Sequence, residues 1–266
     1  MRKYLFILMV LVSASLLRAE TITCSGSTTV LPIAQAAAEA FMDKYPHLNV
    51  SVRGGGSGVG IAALQNGTAQ IANSSRPIKN KELVQARSKG VQPTAYAIAY
   101  DGIAMVVHPS NKIDNISLQQ ILDIYTGKIN NWRQLGGSDQ SIVVISRDVA
   151  SGTFEVFNEK ALNGAKVEAS AQMLASNNAV ISAVSTTPGA IGYAGLGYVN
   201  DNVRVVKVEG IRPSKATVAD FSYPLARKLY MYTNGKATGN VAAFLGFIQG
   251  ESGQKIVEEC GFISLQ

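Results

Sequence analysis

The sequence is poor in the residues from which most catalytic and metal centres are built. It holds two cysteines, two histidines and one tryptophan in 266 residues. Cys24, Cys260, His47 and His108 make up four ligands at most and lack the close spacing of structural zinc sites, which nearly excludes one. Charged residues make up 16% of the chain, against roughly 25% in an average globular protein, so the surface must rely on Ser, Thr, Asn, Gln and Gly. With 47% hydrophobic residues and no long charge run, disorder is excluded. The 25 glycines have no three-residue period, which excludes collagen. No Lys/Arg cluster of the kind that grips nucleic acid occurs. Beyond the N-terminal segment, no apolar run approaches the roughly 20 residues of a membrane span.

That N-terminal segment reads as a leader. Arg2 and Lys3 precede an uncharged run from Tyr4 to Leu17, and Arg18-Ala19 follows. Basic start, apolar middle and small residue at the cut are the layout of a secretory signal peptide, with cleavage expected after Ala19. Arg2, Lys3 and Arg18 lie in it, so 21 basic residues remain against 18 acidic, a net +3 in place of +6. The destination is then the periplasm, where a disulfide is allowed; whether Cys24 and Cys260 meet stays open. Thr23 stands before Cys24 where a lipid-attachment motif has Gly or Ala.

The remaining chain alternates short strands and helices. Thr21–Cys24, Asn49–Val52 and Gln70–Ala72 read as strands. Val30–Tyr45 carries apolar residues at helical spacing, Val59–Gln65 is a short helix closed by Gly67, and Pro77 stands where a helix reaching Ser88 would begin. Further on, Thr94–Tyr100 and Gly102–His108 read as strands separated by Asp101. Ser117-Leu118-Gln119-Gln120 is a capping box that opens a helix through Tyr125. Helices are expected at Phe154–Leu162, Asn177–Val184, Val241–Ile248 and Gly253–Glu259, and strands at Ile142–Ile145, Ala190–Ala194, Val203–Val208 and Tyr223–Thr233. The pattern predicts an α/β fold with a mainly parallel sheet.

Four strand-to-helix loops repeat one chemistry: Ser25-Gly26-Ser27-Thr28-Thr29, Gly54-Gly55-Gly56-Ser57-Gly58, Asn73-Ser74-Ser75-Arg76-Pro77, and Arg147 through Ser151-Gly152-Thr153. Hydroxyls donate to oxyanions, glycine lets backbone N–H groups approach, and a helix N-terminus adds unpaired N–H groups and partial positive charge. Arg147 or Arg76 can add a full charge and a two-pronged fork. Any one loop is explained by ordinary helix capping. Four together, at the carboxyl ends of strands, can converge on one small anion.

Nucleotide and hydrolase motifs fail. Gly55 and Gly60 have P-loop spacing, but Ile61-Ala62 follows where Lys-Ser/Thr is required. Gly56-x-Gly58 is followed by Ile61 where the dinucleotide fingerprint needs glycine. There is no G-x-S-x-G elbow, and His47 in a Tyr-Pro-His turn and His108 before Pro109 are poorly placed for a triad.

With Gly26-Ser27-Thr28-Thr29, the glycine loop with Ser57, Ser74-Ser75-Arg76 and Arg147…Ser151-Gly152-Thr153, the chain resembles the phosphate-binding proteins of bacterial high-affinity phosphate ABC importers. The likeness extends to Asp101-Gly102-Ile103-Ala104, Ile129-Asn130-Asn131-Trp132, Gly189-Ala190-Ile191-Gly192-Tyr193 and Gly253-Gln254-Lys255-Ile256-Val257. The resemblance implies a two-lobed periplasmic-binding fold (type II) with the ligand in the cleft. One lobe would be 20–99 plus 223–266 and the other 100–222, after a leader over 1–19. It implies ligand contacts from Ser27, Thr28, Thr29, Ser57 and Ser75 on one side and Arg147, Ser151, Gly152 and Thr153 on the other, with Arg76 in the second rank. Some members place an Asp where this chain has Ser75; there it accepts the hydrogen of protonated phosphate and turns away sulfate, which has none. Asp101, near the hinge, is the carboxylate expected to replace it. The implied partners are inorganic phosphate and the membrane permease subunits of the importer, with the receptor a monomer, no cofactor and no metal. The rival readings are a receptor for another tetrahedral oxyanion such as sulfate, an exported phosphate-ester hydrolase, and a surface protein whose four loops are only caps.

Overall fold

A computed structural model of the chain describes residues 20–266; the expected leader, 1–19, lies outside them. Ten strands and nine α-helices alternate: β1 (Glu20–Gly26), α1 (Leu31–Lys44), β2 (Leu48–Arg53), α2 (Ser57–Gln65), β3 (Ile71–Ser74), α3 (Asn80–Ser88), β4 (Pro93–Val107), β5 (Asn115–Ile116), α4 (Leu118–Tyr125), β6 (Val143–Arg147), α5 (Gly152–Ala161), β7 (Gln172–Leu174), α6 (Asn177–Thr186), β8 (Ala190–Gly195), β9 (Arg204–Val208), α7 (Lys215–Ala219), β10 (Ala226–Asn234), α8 (Gly239–Gln249) and α9 (Glu251–Glu259).

The strands form one ladder in the order β2-β1-β3-β10-β4-β8-β6-β7, with β9 pairing β4 and β5. At each end the strands run parallel: β2, β1 and β3 on one side, β8, β6 and β7 on the other. Antiparallel β10 and β4 join the halves. β4 does this by changing partner. Pro93–Gly102 pair with β10, and Ile103–Val107 pair with β8. Asp101 therefore is not a break between strands; it lies inside one fifteen-residue strand at the point where the partner changes. The two-lobed α/β fold follows from that switch.

Each lobe has its own core. In the first, Phe41 of α1 meets Phe244 of α8 edge-on at 5.2 Å, over Ile22, Ile71, Ile98 and Met231. In the second, Phe157 stacks on Tyr193 at 3.9 Å, beside Tyr125 and Trp132. Trp132 Nε1 donates to the Gly189 carbonyl at 2.8 Å, so its one polar atom is satisfied under the α4 helix. Fully burying a side chain of this size contributes about 1.5–3 kcal/mol. Tyr223, Leu225 and Ala226, which the resemblance assigns to the first lobe, pack into the second core; the chain returns to the first core at Leu229.

Local signals account for most boundaries. Ser117 caps α4 by accepting from the Gln120 N–H at 3.1 Å while Gln120 Oε1 accepts from the Ser117 N–H at 2.8 Å. Pro77 does not open α3; Lys79 is the cap and Glu82 accepts from its N–H at 2.9 Å. The two cysteines are unpaired. Cys24 is a core residue whose thiol is pushed up to about 12 by burial. Among the described residues, no helix is long and apolar enough to cross a membrane.

Candidate functional site

The four hydroxyl-bearing loops meet where the lobes touch. Three belong to the first lobe, after β1, β2 and β3, and the fourth, after β6, belongs to the second. Ser27, Thr29, Ser57, Ser75, Ser151 and Thr153 are all buried. Thr29 Oγ1 lies 3.0 Å from Thr153 Oγ1 across the boundary, and the Gly58 N–H donates to the Ala150 carbonyl at 3.1 Å. Ser57 Oγ accepts from the Ser75 N–H at 3.0 Å and lies 3.4 Å from Ser75 Oγ.

Two glycines are fixed by this closeness. A Cβ on Gly152 would stand 2.7 Å from Ser75 Oγ and nearer still to Ser57 Oγ. Gly56 has φ +99° and would set a Cβ 2.5 Å from the Ala150 carbonyl oxygen, so backbone and space both demand glycine there.

Ser27 and Ser151 do act as caps. Ser27 Oγ accepts from the Thr29 and Val30 N–H groups at 3.1 and 3.3 Å, and Ser151 Oγ from the Phe154 N–H at 3.2 Å. Capping uses their lone pairs and leaves their hydrogens to give. Gly152 and Thr153 then open α5, where N–H groups have no partner within the helix.

Arg147 enters from the end of β6 and is completely buried. Its Nε donates to the Leu174 carbonyl at 3.0 Å, Nη1 to Asn177 Oδ1 at 3.3 Å, and Nη2 to the Ala175 carbonyl and Thr28 Oγ1, both at 3.1 Å. Every partner is neutral, and no carboxylate among the described residues pairs with it. Burial lowers its pKa from the ordinary arginine value.

Arg76 has the opposite surroundings. It forms a two-pronged pair with Glu82 of α3, both contacts 2.8 Å, and an ion pair with Glu155 of α5, which Lys79 also meets at 2.8 Å. Burial opposes ionisation of Glu82, but Arg76 and the Lys79 N–H outweigh it and hold its pKa below the ordinary value. The second-rank candidate is thus engaged away from the hydroxyl cluster, at an open groove of about 980 Å³ whose lining includes Arg76, Pro77 and Val149 of those loops but none of their hydroxyls.

Asp101 sits at the partner switch of β4, also completely buried. Arg227 of β10 holds its Oδ2 from Nε at 2.8 Å and Nη2 at 2.6 Å, and the Leu196 N–H holds Oδ1 at 2.9 Å. Burial pushes Asp101 above the ordinary carboxylate range and Arg227 below the ordinary arginine value; their pairing resists both. Asp101 is therefore the counter-ion of Arg227, with neither oxygen left unengaged.

Sequence reading missed Asn177, Arg227 and Tyr198. Asn177, buried at the start of α6, donates to Thr29 Oγ1 at 3.1 Å and Thr28 Oγ1 at 3.4 Å. Arg227 Nη2 lies 3.3 Å from Thr29 Oγ1. Tyr198 donates its hydroxyl to the Thr28 carbonyl. The signal for Asn177 was present: Ser176-Asn177 is a fifth strand-to-helix loop, hidden because β7 is only three residues long.

A two-lobed sheet switched at one long strand, with helix N-termini from both lobes converging on a buried, acid-free arginine, defines a solute-binding receptor of the two-lobed type. Over residues 12–252 the chain matches the PBP superfamily domain. It is 37% identical over 245 residues to the phosphate-binding protein PstS of Bacillus subtilis, covering 91% of this chain and 80% of that one. It is 33% identical to the phosphate-binding protein PstS of Borreliella burgdorferi, covering 99% of each. The crystal structure of a phosphate ABC transporter substrate-binding protein from Clostridium perfringens, described as putative and with bound phosphate, superposes with a TM-score of 0.86 at 35% identity over 93% of this chain and 100% of that one. The chain belongs to the PstS family of phosphate-binding proteins within that superfamily.

Proposed function

We propose that the protein is an extracytoplasmic receptor that captures inorganic phosphate between its lobes and hands it to the membrane permease of an ABC importer. The observation that carries this is Arg147. A buried guanidinium with only neutral partners costs several kcal/mol, and an anion held among the surrounding hydroxyls and the α5 N-terminus offsets that cost. Thr28, Thr29, Ser57 and Ser75 contribute from the first lobe, and Arg147, Ser151, Gly152 and Thr153 from the second; Ser27 completes the first loop. Lobe closure is a hinge movement at Asp101–Ile103 and the return crossing near Leu225–Arg227. The protein acts as a monomeric receptor and not an enzyme, and it is exported by its leader, cut after Ala19.

A second oxyanion, sulfate above all, is favoured by the engagement of Asp101: no spare carboxylate stands at the site to demand a ligand hydrogen. The test is calorimetric titration of phosphate, then sulfate, into protein unfolded and refolded to strip carried ligand. Tight one-to-one phosphate binding with little sulfate heat is expected. Equal binding of the two moves the assignment to a general oxyanion receptor, and silence from both, in refolded protein, overturns it.

A further inference from the structure

The hydrogen bonds around the first loop fix the direction of its hydroxyls. A hydroxyl has one hydrogen to give and two lone pairs. Thr29 Oγ1 receives Asn177 Nδ2 at 3.1 Å and Arg227 Nη2 at 3.3 Å. Thr28 Oγ1 receives Arg147 Nη2 at 3.1 Å and Asn177 Nδ2 at 3.4 Å. These nitrogens cannot accept in return, so each threonine keeps only its hydrogen. The Asn177 amide is itself unable to reverse. Its Oδ1 takes Arg147 Nη1 at 3.3 Å and the Gly195 N–H at 3.2 Å, and a flip would set an NH2 group against a guanidinium and an amide.

The opposite side of the site is different. Ser57 Oγ receives one N–H, from Ser75, and among the described residues no N–H is directed at Ser75 Oγ. Ser151 Oγ already takes the Phe154 N–H, and Thr153 Oγ1, 3.0 Å away, accepts the hydrogen of the locked Thr29 hydroxyl and keeps its own to give. The Ser57–Ser75 pair thus keeps spare capacity to accept, with no N–H claim on Ser75 Oγ among the described residues.

We propose that Asn177, with Arg147 and Arg227 behind it, is a specificity-determining positioning residue: it locks Thr28 and Thr29 as one-way donors, so that the site selects the hydrogen phosphate dianion. Bare ligand oxygens face the hydrogen of Thr28 and, relayed through Thr29, that of Thr153, and the single ligand hydrogen goes to Ser57–Ser75. A second hydrogen, as in dihydrogen phosphate, competes with donors already seated. The inference rests on the oxyanion reading above.

The charged and titratable groups facing Asn177 and the threonines are Arg147 with Asp148 beside it, Arg227 on β10, Asp101 on β4, Tyr193 on β8 and Tyr198 after it. Calorimetry of phosphate binding in buffers of different ionisation heat counts the protons exchanged. At about pH 5.5, where dihydrogen phosphate dominates, the unaltered protein should release about one proton per phosphate bound. Its affinity should also fall by roughly tenfold per pH unit below the second ionisation of phosphate. Sulfate, which does not titrate here, reports the protein's own groups as a control. Asn177→Ala frees the threonine lone pairs and should cut the proton release to less than about half while flattening the pH profile. No proton release from the unaltered protein, or the same release from Asn177→Ala, overturns the proposal. If Asn177→Ala does not fold, Asn177→Ser, which also withdraws the amide hydrogens from the threonines, is counted in its place with the same reduced release expected. Absence of heat from both phosphate and sulfate at about pH 8, where hydrogen phosphate dominates, removes the oxyanion reading itself, which is a separate outcome.

Discussion

Arg76 and Arg147 both lie at the lobe boundary, 3% and 0% exposed, and their surroundings differ in one respect. Arg76 has two carboxylates, Glu82 from its own lobe and Glu155 from the other. Arg147 has carbonyls, an amide and a hydroxyl. Burying a charge is costly unless it is paired, and the protein meets that cost from within at Arg76 but leaves it unmet at Arg147. A carboxylate-paired arginine stabilises structure, whereas one with only neutral partners is what we propose as the receptor for an external anion. Arg227 lies between these extremes: Asp101 neutralises it, yet one nitrogen still reaches Thr29. On that proposal, the number of carboxylate partners separates the three arginines, which burial alone does not.

The sharpest way to break this comparison is Arg147→Met. It removes the charge and the fork together, and phosphate affinity should fall by about a thousandfold, roughly 4 kcal/mol, the scale of a lost buried charge contact. Arg147→Lys keeps the charge and should recover some of that loss. Calorimetry reads both, and an affinity within tenfold of the unaltered protein, on the scale of a single 1.4 kcal/mol step, would sink the assignment. Arg76→Met should show the reverse pattern. It leaves half-buried Glu82 facing no guanidinium, and since breaking a fully buried pair costs about 3 kcal/mol or more, stability should fall by up to about that amount. Urea unfolding of ligand-free protein measures this. If Arg76→Met costs more affinity than Arg147→Met, the two arginines have exchanged roles.

Much of this arrangement was legible in the residue order, for reasons that are local. The four loops could be found because each follows a strand run and precedes a helix, and because four such Ser, Thr and Gly clusters together exceed what helix capping alone explains. The α4 capping box needs only Ser117 and Gln120. What escaped was tertiary. Asp101-Gly102 looks like a turn, yet Arg227, 126 positions away, holds Asp101 inside a continuous strand. Arg76 looks like a ligand contact until α5 brings Glu155 against it. The fork of Arg227 is invisible on a strand whose neighbour Lys228 is exposed, because alternation does not say that a charged residue has a buried partner.

The smallest expected effect isolates the closing contact. Glu82 and Arg76 belong to one lobe, so under the proposed hinge movement their pair should persist whether the lobes are open or closed. Glu155 belongs to the other and meets Arg76 and Lys79 only when the lobes meet. Glu155→Gln keeps the shape and removes the charge, so it should weaken the closed state and leave the fold of each lobe alone. Lys79 is 39% exposed, and solvent screens its share of the contact. Affinity for phosphate should therefore fall only about threefold, roughly 0.7 kcal/mol. The change should lie in the dissociation rate, since altered contacts in the bound state act mainly on release. Stopped-flow release of phosphate separates the two rates. A faster release with unchanged association places Glu155 in the clamp that retains the ligand. Unchanged rates in both directions would mean that the lobes are held together by the ligand and the hydroxyl loops alone, and the difference between Arg76 and Arg147 would then be one of stability against binding, with no role for Arg76 in closure.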